Sequence, residues 1–400
     1  MNISMIVLNP FTHDARVMKE AQTLQAHGHQ VTVNALWAPG LLFDDHQPDG
    51  IRIHRTRQRT REGIHIPLLP WLELILKLTG ALVRQRPNVC HAHDLNALLA
   101  SYLGLKLAGA RLVYDSHELE TGRNTGKRRV PGWKLAAWKR LEGFLARRAN
   151  GVLTVSPSIA SELSRLYGIP EPSVVRNCPM MFTPPPRGRL RLSAGWSTDS
   201  PVVLYQGGLL AGRGLEPLLR AVAQLPEVHL AILGDGPRMP TVQKLVLELG
   251  IQDRVFLPGK VAWEILLEYT CEGDLGTCLI ENVCRSYYFS LPNKLFEYLM
   301  AGVPVLASDF PDLRQVTLEA QAGWVVNPSN PNEIAEALHT MLSDRAKLAE
   351  MATNARRAAL EIYNWEKESQ KLLALYQDIS TSSNRLYQNK THEDHAPGSE

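Results

Sequence analysis

The chain has 400 residues, 44% of them hydrophobic and 21% charged, enough apolar material for two full domains; a small disulfide-stapled module and a mainly disordered polymer are both excluded. The net charge of +3 hides an asymmetry: up to Pro185 there are 23 Lys and Arg against 14 Asp and Glu, a surplus of 9, whereas the remainder carries 20 against 26. The two parts therefore face different partners, the basic one suited to acidic lipid or an anionic substrate.

Short β-rich runs alternate with helical patterns from the start. Ile3–Leu8 reads as a strand, Ala15–His27 as a helix, and Val31–Leu36 as a strand. Trp71–Arg84 follows as a helix, then Val89–His91, Leu95–Ala108 and Arg111–Tyr114 as strand, helix and strand. Such alternation marks βαβ units, because parallel neighbours need a crossover that a helix supplies. After Gly151–Val155, Ser156 and Pro157 supply an N-cap and a first helical position, and Ser173–Val175 is a further strand. Between Cys178 and Ser200 the periodicity gives way to PMMFTPPPRGRL, where consecutive prolines read as an interdomain linker.

A second series then begins: strands at Val202–Tyr205, His229–Leu233, Arg254–Leu257, Leu275–Leu279, Val303–Ala307 and Gly323–Val326, with helices at Leu215–Gln224, Met239–Leu249 and Leu291–Ala301. Helices at Pro331–Leu342, Ala346–Ile362 and Trp365–Ile379 close the folded part. Ser380–Glu400 is polar and poor in core residues, which predicts disorder. The fold class is thus α/β with two Rossmann-like domains, 1–185 and 186–362, a helix at 363–379 returning to the first domain, and a tail at 380–400.

Cys90, Cys178, Cys271, Cys278 and Cys284 form no CxxC pair, and their odd number points to a reducing, cytoplasmic setting without a cysteine zinc site. MNISMIVLNPF lacks a basic n-region and reads as a first strand. The most apolar stretch, Ile64–Val83, is interrupted by Glu73 and Lys77, so no membrane span of about 18–20 residues is expected.

Ligands of parallel sheets bind beyond the carboxyl ends of the strands, so the loops there carry the candidates. Gln206-Gly207-Gly208-Leu209-Leu210-Ala211-Gly212-Arg213-Gly214 leads from a strand into a helix. Its glycines admit close backbone approach, and Arg213 with a helix N-terminus suits a diphosphate; the alternative is an ordinary glycine-rich turn. Gly234-Asp235-Gly236 follows the next strand, either closing on a flat base or serving as a plain βα turn. In Leu291-Pro292-Asn293-Lys294-Leu295-Phe296-Glu297, Asn293, Lys294 and Glu297 share the start of a helix. There an anion meets the dipole and Lys294, and the Glu297 carboxylate can accept ribose hydroxyls; the alternative is a surface Lys–Glu pair.

In the first half, the ends of two strands carry Cys90-His91-Ala92-His93-Asp94 and Tyr114-Asp115-Ser116-His117-Glu118. By the period of two, His91 and His93 share a sheet face. They read as part of a polar cluster gripping sugar hydroxyls, as structural histidines, or as a metal pair. Thr12, His13, Asp14 and Arg16 follow the first strand, with Asp14 also a candidate helix cap. From Gly126 to Ala149, Lys127, Arg128, Arg129, Lys134, Lys139, Arg140, Arg147 and Arg148 accompany Trp133 and Trp138. This helix suits an anionic bilayer surface, or is a solvated helix whose Leu135, Leu141 and Leu145 face the core.

The ordered set DARVMKEAQTLQAHGHQVTV, HAHD, YDSHE, TVSPSIASEL, VVRNCP, YQGGLLAGRGLEPLLRA, ILGDGP and LPNKLFEYLMAGVPVLASD resembles the GT-B glycosyltransferases, in particular glycosyltransferase family 4, from about Ile3 to Ile379. The PNKLFEY form is that of a divergent branch. The resemblance implies two Rossmann-like domains facing each other across a cleft, with a retaining, metal-independent transfer from a nucleotide sugar. The C-terminal domain would hold the donor at Gly207, Gly208, Gly234, Asp235, Gly236, Asn293 and Glu297. The acceptor, a glycan or lipid-linked precursor, falls to His13, Asp14, Arg16, His93, Asp94 and Glu118.

Glu297 matches the second glutamate of the family's paired motif, which holds the ribose. Arg213 stands where a diphosphate lysine is usual, and His117 matches a histidine after the family's fifth strand that approaches the donor sugar. Arg213, Lys294 and His117 are accordingly the catalytic candidates. The resemblance implies no cofactor beyond the co-substrate and no nucleic-acid partner; an anionic membrane surface, in cell-surface polysaccharide synthesis, is expected. Gly208 replaces one of the family's two phosphate cations, for which Lys294 is the substitute, and Phe289 replaces the first glutamate, with Glu281 upstream. The competing readings are a sugar-nucleotide epimerase on the same architecture and a non-catalytic nucleotide-sugar binder.

Overall fold

The computed structural model describes residues 1–58, 69–123, 131–186 and 188–393, with 263, 264 and 382–393 as backbone alone. The chain forms two compact units: Met1–Thr121 with Pro131–Val175 and the chain from Ser369, and a second centred on Arg176–Glu368.

The first unit holds β1 (Asn2–Ile6), β2 (Gln30–Leu36), β3 (Asp44–His46), β4 (Arg52–Thr56), β5 (Val89–His93), β6 (Arg111–Ser116), β7 (Gly151–Thr154) and β8 (Ser173–Val174) in the order β3-β4-β2-β1-β5-β6-β7-β8. All neighbours are parallel except β3, which runs antiparallel to β4. The crossovers are α1 (Ala15–Ala26), α2 (Leu69–Gln85), α3 (Asp94–Ala108), α4 (Gly132–Ala146) and α5 (Pro157–Tyr167). β5 is buried along its whole length and β6 nearly so, as a parallel sheet covered on both faces requires. Ser156 caps α5 by accepting the Ile159 N–H at 3.3 Å. The β5 and β6 registers set His93 opposite Asp115, so the polar residues after these strands gather at one sheet edge.

The second unit holds β9 (Val202–Gln206), β10 (His229–Leu233), β11 (Val255–Gly259), β12 (Leu275–Cys278), β13 (Val305–Ser308) and β14 (Gly323–Val326) in the order β11-β10-β9-β12-β13-β14, all parallel. Alternate residues of β9 feed separate cores, Val202 and Leu204 one face, Val203 and Tyr205 the other. Its helices are α6 (Arg189–Ala194), α7 (Leu215–Val222), α8 (Met239–Glu248), α9 (Trp263–Glu272), α10 (Arg285–Tyr288), α11 (Asn293–Ala301), α12 (Pro311–Glu319), α13 (Pro331–Ser343) and α14 (Arg345–Glu361); α15 (Trp365–Glu393) starts here and continues into the first unit.

Two expectations need correction. The units divide at Val175 and Arg176, ahead of Pro185, because Cys178 and Leu190 are both fully buried in the second unit's core. The stretch read as linker contains α6, whose Leu190 and Arg191 N–H groups donate to the Glu272 carboxylate at 2.7 and 3.3 Å. In the tail, backbone helix runs through Glu393, beyond the expected end at Ile379. Arg385, Leu386 and Gln388 are residue types of good helix propensity, in keeping with that continuation.

Candidate active site

In the second unit, Gly207, Gly208, Arg213, Asn293, Lys294 and Glu297 line one pocket of about 400 Å³, together with Tyr205, Gln206 and Pro292. The sheet delivers them because β9 ends at Gln206 and α11 begins at Asn293. The Lys294 side chain is buried, its ammonium 3.9 Å from the centroid of the Tyr205 ring. Burial pushes the amine down to about 8, with nearby Arg213 adding to the effect. A neighbouring anion would favour its charged form. The Arg213 guanidinium stacks 4.5 Å from the Tyr287 ring centroid, which fixes its position.

Gln206, which the sequence reading passed over, organises the floor. Its Nε2 donates to Glu297 Oε2, its Oε1 accepts from the Thr270 hydroxyl at 2.8 Å, and its backbone N–H donates to the Tyr298 hydroxyl at 3.0 Å. Glu297 is thereby oriented rather than mobile. The only available signal was a polar residue ending an apolar strand before two glycines.

Gly234, Asp235 and Gly236 do not line this pocket. Their glycines serve backbone packing: a Cβ on Gly234 would lie 2.0 Å from the Gly207 carbonyl oxygen, and one on Gly236 would lie 2.6 Å from that of Leu209. The Leu209 N–H also donates to the Asp235 carbonyl at 3.0 Å. Thus the second glycine loop packs against the first through its backbone. Glu281 accepts the Gly214 N–H at 3.1 Å and donates its own N–H to Gly212. It fastens the Arg213 loop and is not among the residues lining the pocket.

In the first unit, the strand-end residues form a buried ionic network. Asp115 accepts Arg16 Nε and Nη2, each at 2.8 Å, and His117 Nε2 at 2.9 Å, and lies 3.3 Å from His93 Nδ1. Burial alone would raise its carboxyl, but Arg16 and His117 outweigh that and hold it well below the usual range. Burial opposes the charge on His117 too, yet Asp94 and Asp115 raise it to about 9. His117 Nδ1 is 3.5 Å from the Asp94 carboxylate, which also accepts the His117 backbone N–H at 3.2 Å. Asp94 achieves this with φ of 66°, a left-handed conformation that aspartate tolerates better than most residues.

This geometry sorts the acceptor-side candidates. Arg16 is buried and spends its Nε and both Nη groups on Asp115 and the Val175 carbonyl, so it builds the network and offers nothing to a ligand. His93 is buried within the same network. Asp14 caps α1 through the Val17 N–H at 3.2 Å and holds Asn9 at 2.8 Å, while His13 is exposed beside Thr12. Glu118 follows, its carbonyl accepting from Ser116 at 2.9 Å. His117, 22% exposed, and Asp94, 34% exposed, reach the surface of this unit.

α4 spans Gly132–Ala146, and Lys127, Arg128 and Arg129 lie outside the described residues. Leu145 is buried and Leu135 and Leu141 half-buried, while Trp133, Lys134, Arg140, Phe144, Arg147 and Arg148 are exposed. Trp138 meets Trp71 of α2 edge to face at 6.2 Å, beside exposed Leu72 and Leu76. Among the described residues no helix is long and apolar enough to cross a membrane.

Residues 13–179 match the Glycosyl transferase 4-like domain, and residues 187–358 match Glycosyl transferases group 1. The chain is 26% identical over 375 residues to an uncharacterized glycosyltransferase of Methanocaldococcus jannaschii, covering 89% of this chain and 91% of that one. Among solved structures, sucrose-phosphate synthase from Thermosynechococcus elongatus superposes with a TM-score of 0.81 at 20% identity, over 96% of this chain and all of that one. HepE from Anabaena, solved with UDP-glucose, gives 0.74 at 18% identity over 95% and 100% of the two chains.

Proposed function

The chain is a GT-B glycosyltransferase of the family 4 type, and from that premise we propose that it moves a sugar, with retention of anomeric configuration, from a nucleotide-sugar donor to a glycan or lipid-linked acceptor. The observation that carries the reading is the convergence of Arg213, Lys294 and Glu297 on one pocket of the second unit. A nucleoside diphosphate would set its phosphates against both cations and the N-terminus of α11, and its ribose hydroxyls against Glu297. Binding the diphosphate would favour the charged form of Lys294 and raise its lowered value. HepE carrying UDP-glucose on the same fold supports this class of donor.

Glycosyl transfer passes through an oxocarbenium-like sugar and a departing diphosphate. Arg213 and Lys294 neutralise the leaving group, which is why we infer a transfer that needs no metal at the donor. Among the described residues Glu297 is the one carboxylate lining the pocket. The acceptor hydroxyl attacks from the leaving-group face and a donor phosphate oxygen takes its proton. His117, bracketed by Asp94 and Asp115 within the first unit, is held as an imidazolium over the neutral range and does not serve as a base.

On the acceptor side, exposed Trp133 and the basic residues of α4 fit an anionic membrane surface, so the acceptor is a membrane-linked precursor in cell-surface polysaccharide synthesis. A thermal-shift screen of nucleotide sugars tests the donor assignment. A donor at 100 times its dissociation constant adds about 2.7 kcal/mol of stability. A panel of uridine, guanosine and adenosine diphosphate sugars that leaves Tm unchanged at millimolar concentration overturns the reading.

A further inference from the structure

The network at the base of the first unit's β5 and β6 contains polar atoms that the transfer chemistry does not use. Glu20 in α1 is fully buried, and neither of its carboxylate oxygens has a hydrogen-bond partner among the described residues; the same holds for His91 Nε2 and His93 Nε2. Buried polar atoms without partners are rare enough to need a cause. Arg16 lies 3.1 Å from Glu20 Oε1, yet its hydrogen-bonding groups, like that of His117, are aimed at Asp115 and Val175. Glu20 is thus ion-paired with Arg16 but accepts no hydrogen bond among the described residues.

The two imidazoles are arranged in parallel. Their rings stack at 4.3 Å with a tilt of 24°. The Nδ1 of His93 lies between the Asp115 carboxylate at 3.3 Å and His117 Nε2 at 3.2 Å, whose own proton goes to Asp115, and the Nδ1 of His91 faces the Tyr376 hydroxyl of α15 at 2.9 Å. An oxygen partner on one ring nitrogen, leaving the other bare, is how a protein orients a metal-binding histidine. His91 Nε2 lies 3.8 Å from Glu20 Oε2, too long for a hydrogen bond in either tautomer. It is near the roughly 3.3–3.5 Å that separates two ligands bound about 2.0–2.1 Å from one tetrahedral ion. Glu20, His91, His93 and Asp115 each place a ligand atom within 4.8 Å of the others.

We propose that this cluster is a buried structural site for a divalent transition ion of the zinc type, with His91 Nε2, His93 Nε2 and the Glu20 carboxylate as ligands and Asp115 and Tyr376 orienting the imidazoles. Imidazole nitrogen and carboxylate oxygen suit zinc or cobalt better than magnesium or calcium, which prefer all-oxygen shells. The ion ties α1, β5 and, through Tyr376, α15 into one element of the first unit. It lies in the core of that unit and takes no part in neutralising the donor's leaving group, so the proposal stands independently of the transfer mechanism.

The test is the metal content of the full chain, purified from cells supplied with zinc or with cobalt in its place. The wild type is expected to carry about one ion per chain, to show the visible bands of a low-coordinate cobalt site, and to release that ion only on unfolding, detected with a metallochromic dye in denaturant. Glu20→Gln, folded by circular dichroism, is expected to lose at least nine-tenths of the bound metal, whereas Asp94→Asn retains it. Folded wild type with metal at background in both preparations overturns the site, as does unchanged content in folded Glu20→Gln. If Glu20→Gln does not fold, release of one equivalent on unfolding of the wild type supports the site, and release of none overturns it.

Discussion

In the proposed donor site Lys294 and Arg213 are the two cations assigned to the diphosphate, and they stand in different environments. Lys294 is buried over Tyr205 and its amine is pushed down to about 8, so the free enzyme loses this cation as pH rises through 8. The expected result is a fall in kcat/KM on the alkaline side with an apparent value near 8, and Lys294→Met should lower the plateau and abolish that limb; a pH profile of both proteins measures it. Arg213→Ala is expected to cost about 100- to 1,000-fold in kcat with Tm unchanged, the usual scale for removing one preorganised charge donor. For His117 the sign runs the other way. Its value in the fold, about 9, lies above the ordinary 6.5, so its stabilisation is complete below 6.5 and is lost as pH rises through 9. His117→Gln should flatten the dependence of Tm over that window. That Arg213, Lys294 and Glu297 belong near one another could be read from strand-end position and helical spacing, and they do line one pocket. Gln206, and the internal use of Arg16, could not be read from the sequence, since both depend on which strands become neighbours.

At the level of elements, the two glycine loops show how similar sequences take different structural places. Gly207-Gly208 and Gly234-Asp235-Gly236 look alike as sequences, yet the second supports the first through backbone contacts. Gly234→Ala, with φ of 155° and a Cβ 2.0 Å from a carbonyl oxygen, should destabilise the second unit by about 2–4 kcal/mol, the sum of backbone strain and overpacking. Gly208→Ala has ordinary backbone and only Leu210 nearby at 3.7 Å, so its stability should change by no more than about 0.5 kcal/mol while nucleotide affinity falls. Denaturant melts with and without nucleotide separate the two effects. Strong periodicity made most helices and strands readable. β3, β4, α6 and α10 were missed because DDH, RIHRT, RLRLSA and RSYY are short and rich in polar or charged residues, and α9 and α12 because their pattern follows prolines and loops that blur it.

For the whole molecule, the surplus of positive charge before Pro185 has a structural counterpart in exposed α4 and its neighbour α2. Each basic side chain near an anionic surface contributes roughly 1 kcal/mol, so three or four suffice for reversible attachment, and salt should weaken it. In liposome flotation the chain is expected to float with anionic vesicles at low salt and not with neutral ones. Changing Trp133, Lys134 and Arg140 to Ser should reduce that fraction several-fold; equal flotation on both vesicles, or on neither, leaves α4 a solvated helix.

The central claim is that the second unit binds a nucleotide sugar through Arg213, Lys294 and Glu297 without a metal at the phosphates. Calorimetric titration of the full chain with the nucleoside diphosphate of its best donor, in excess chelator, tests this most directly. The account predicts binding at one site per chain that is undiminished by chelator and weakened at least 100-fold in folded Arg213→Ala/Lys294→Met. Binding that requires added magnesium or manganese, or that persists unchanged in the double variant, would contradict it.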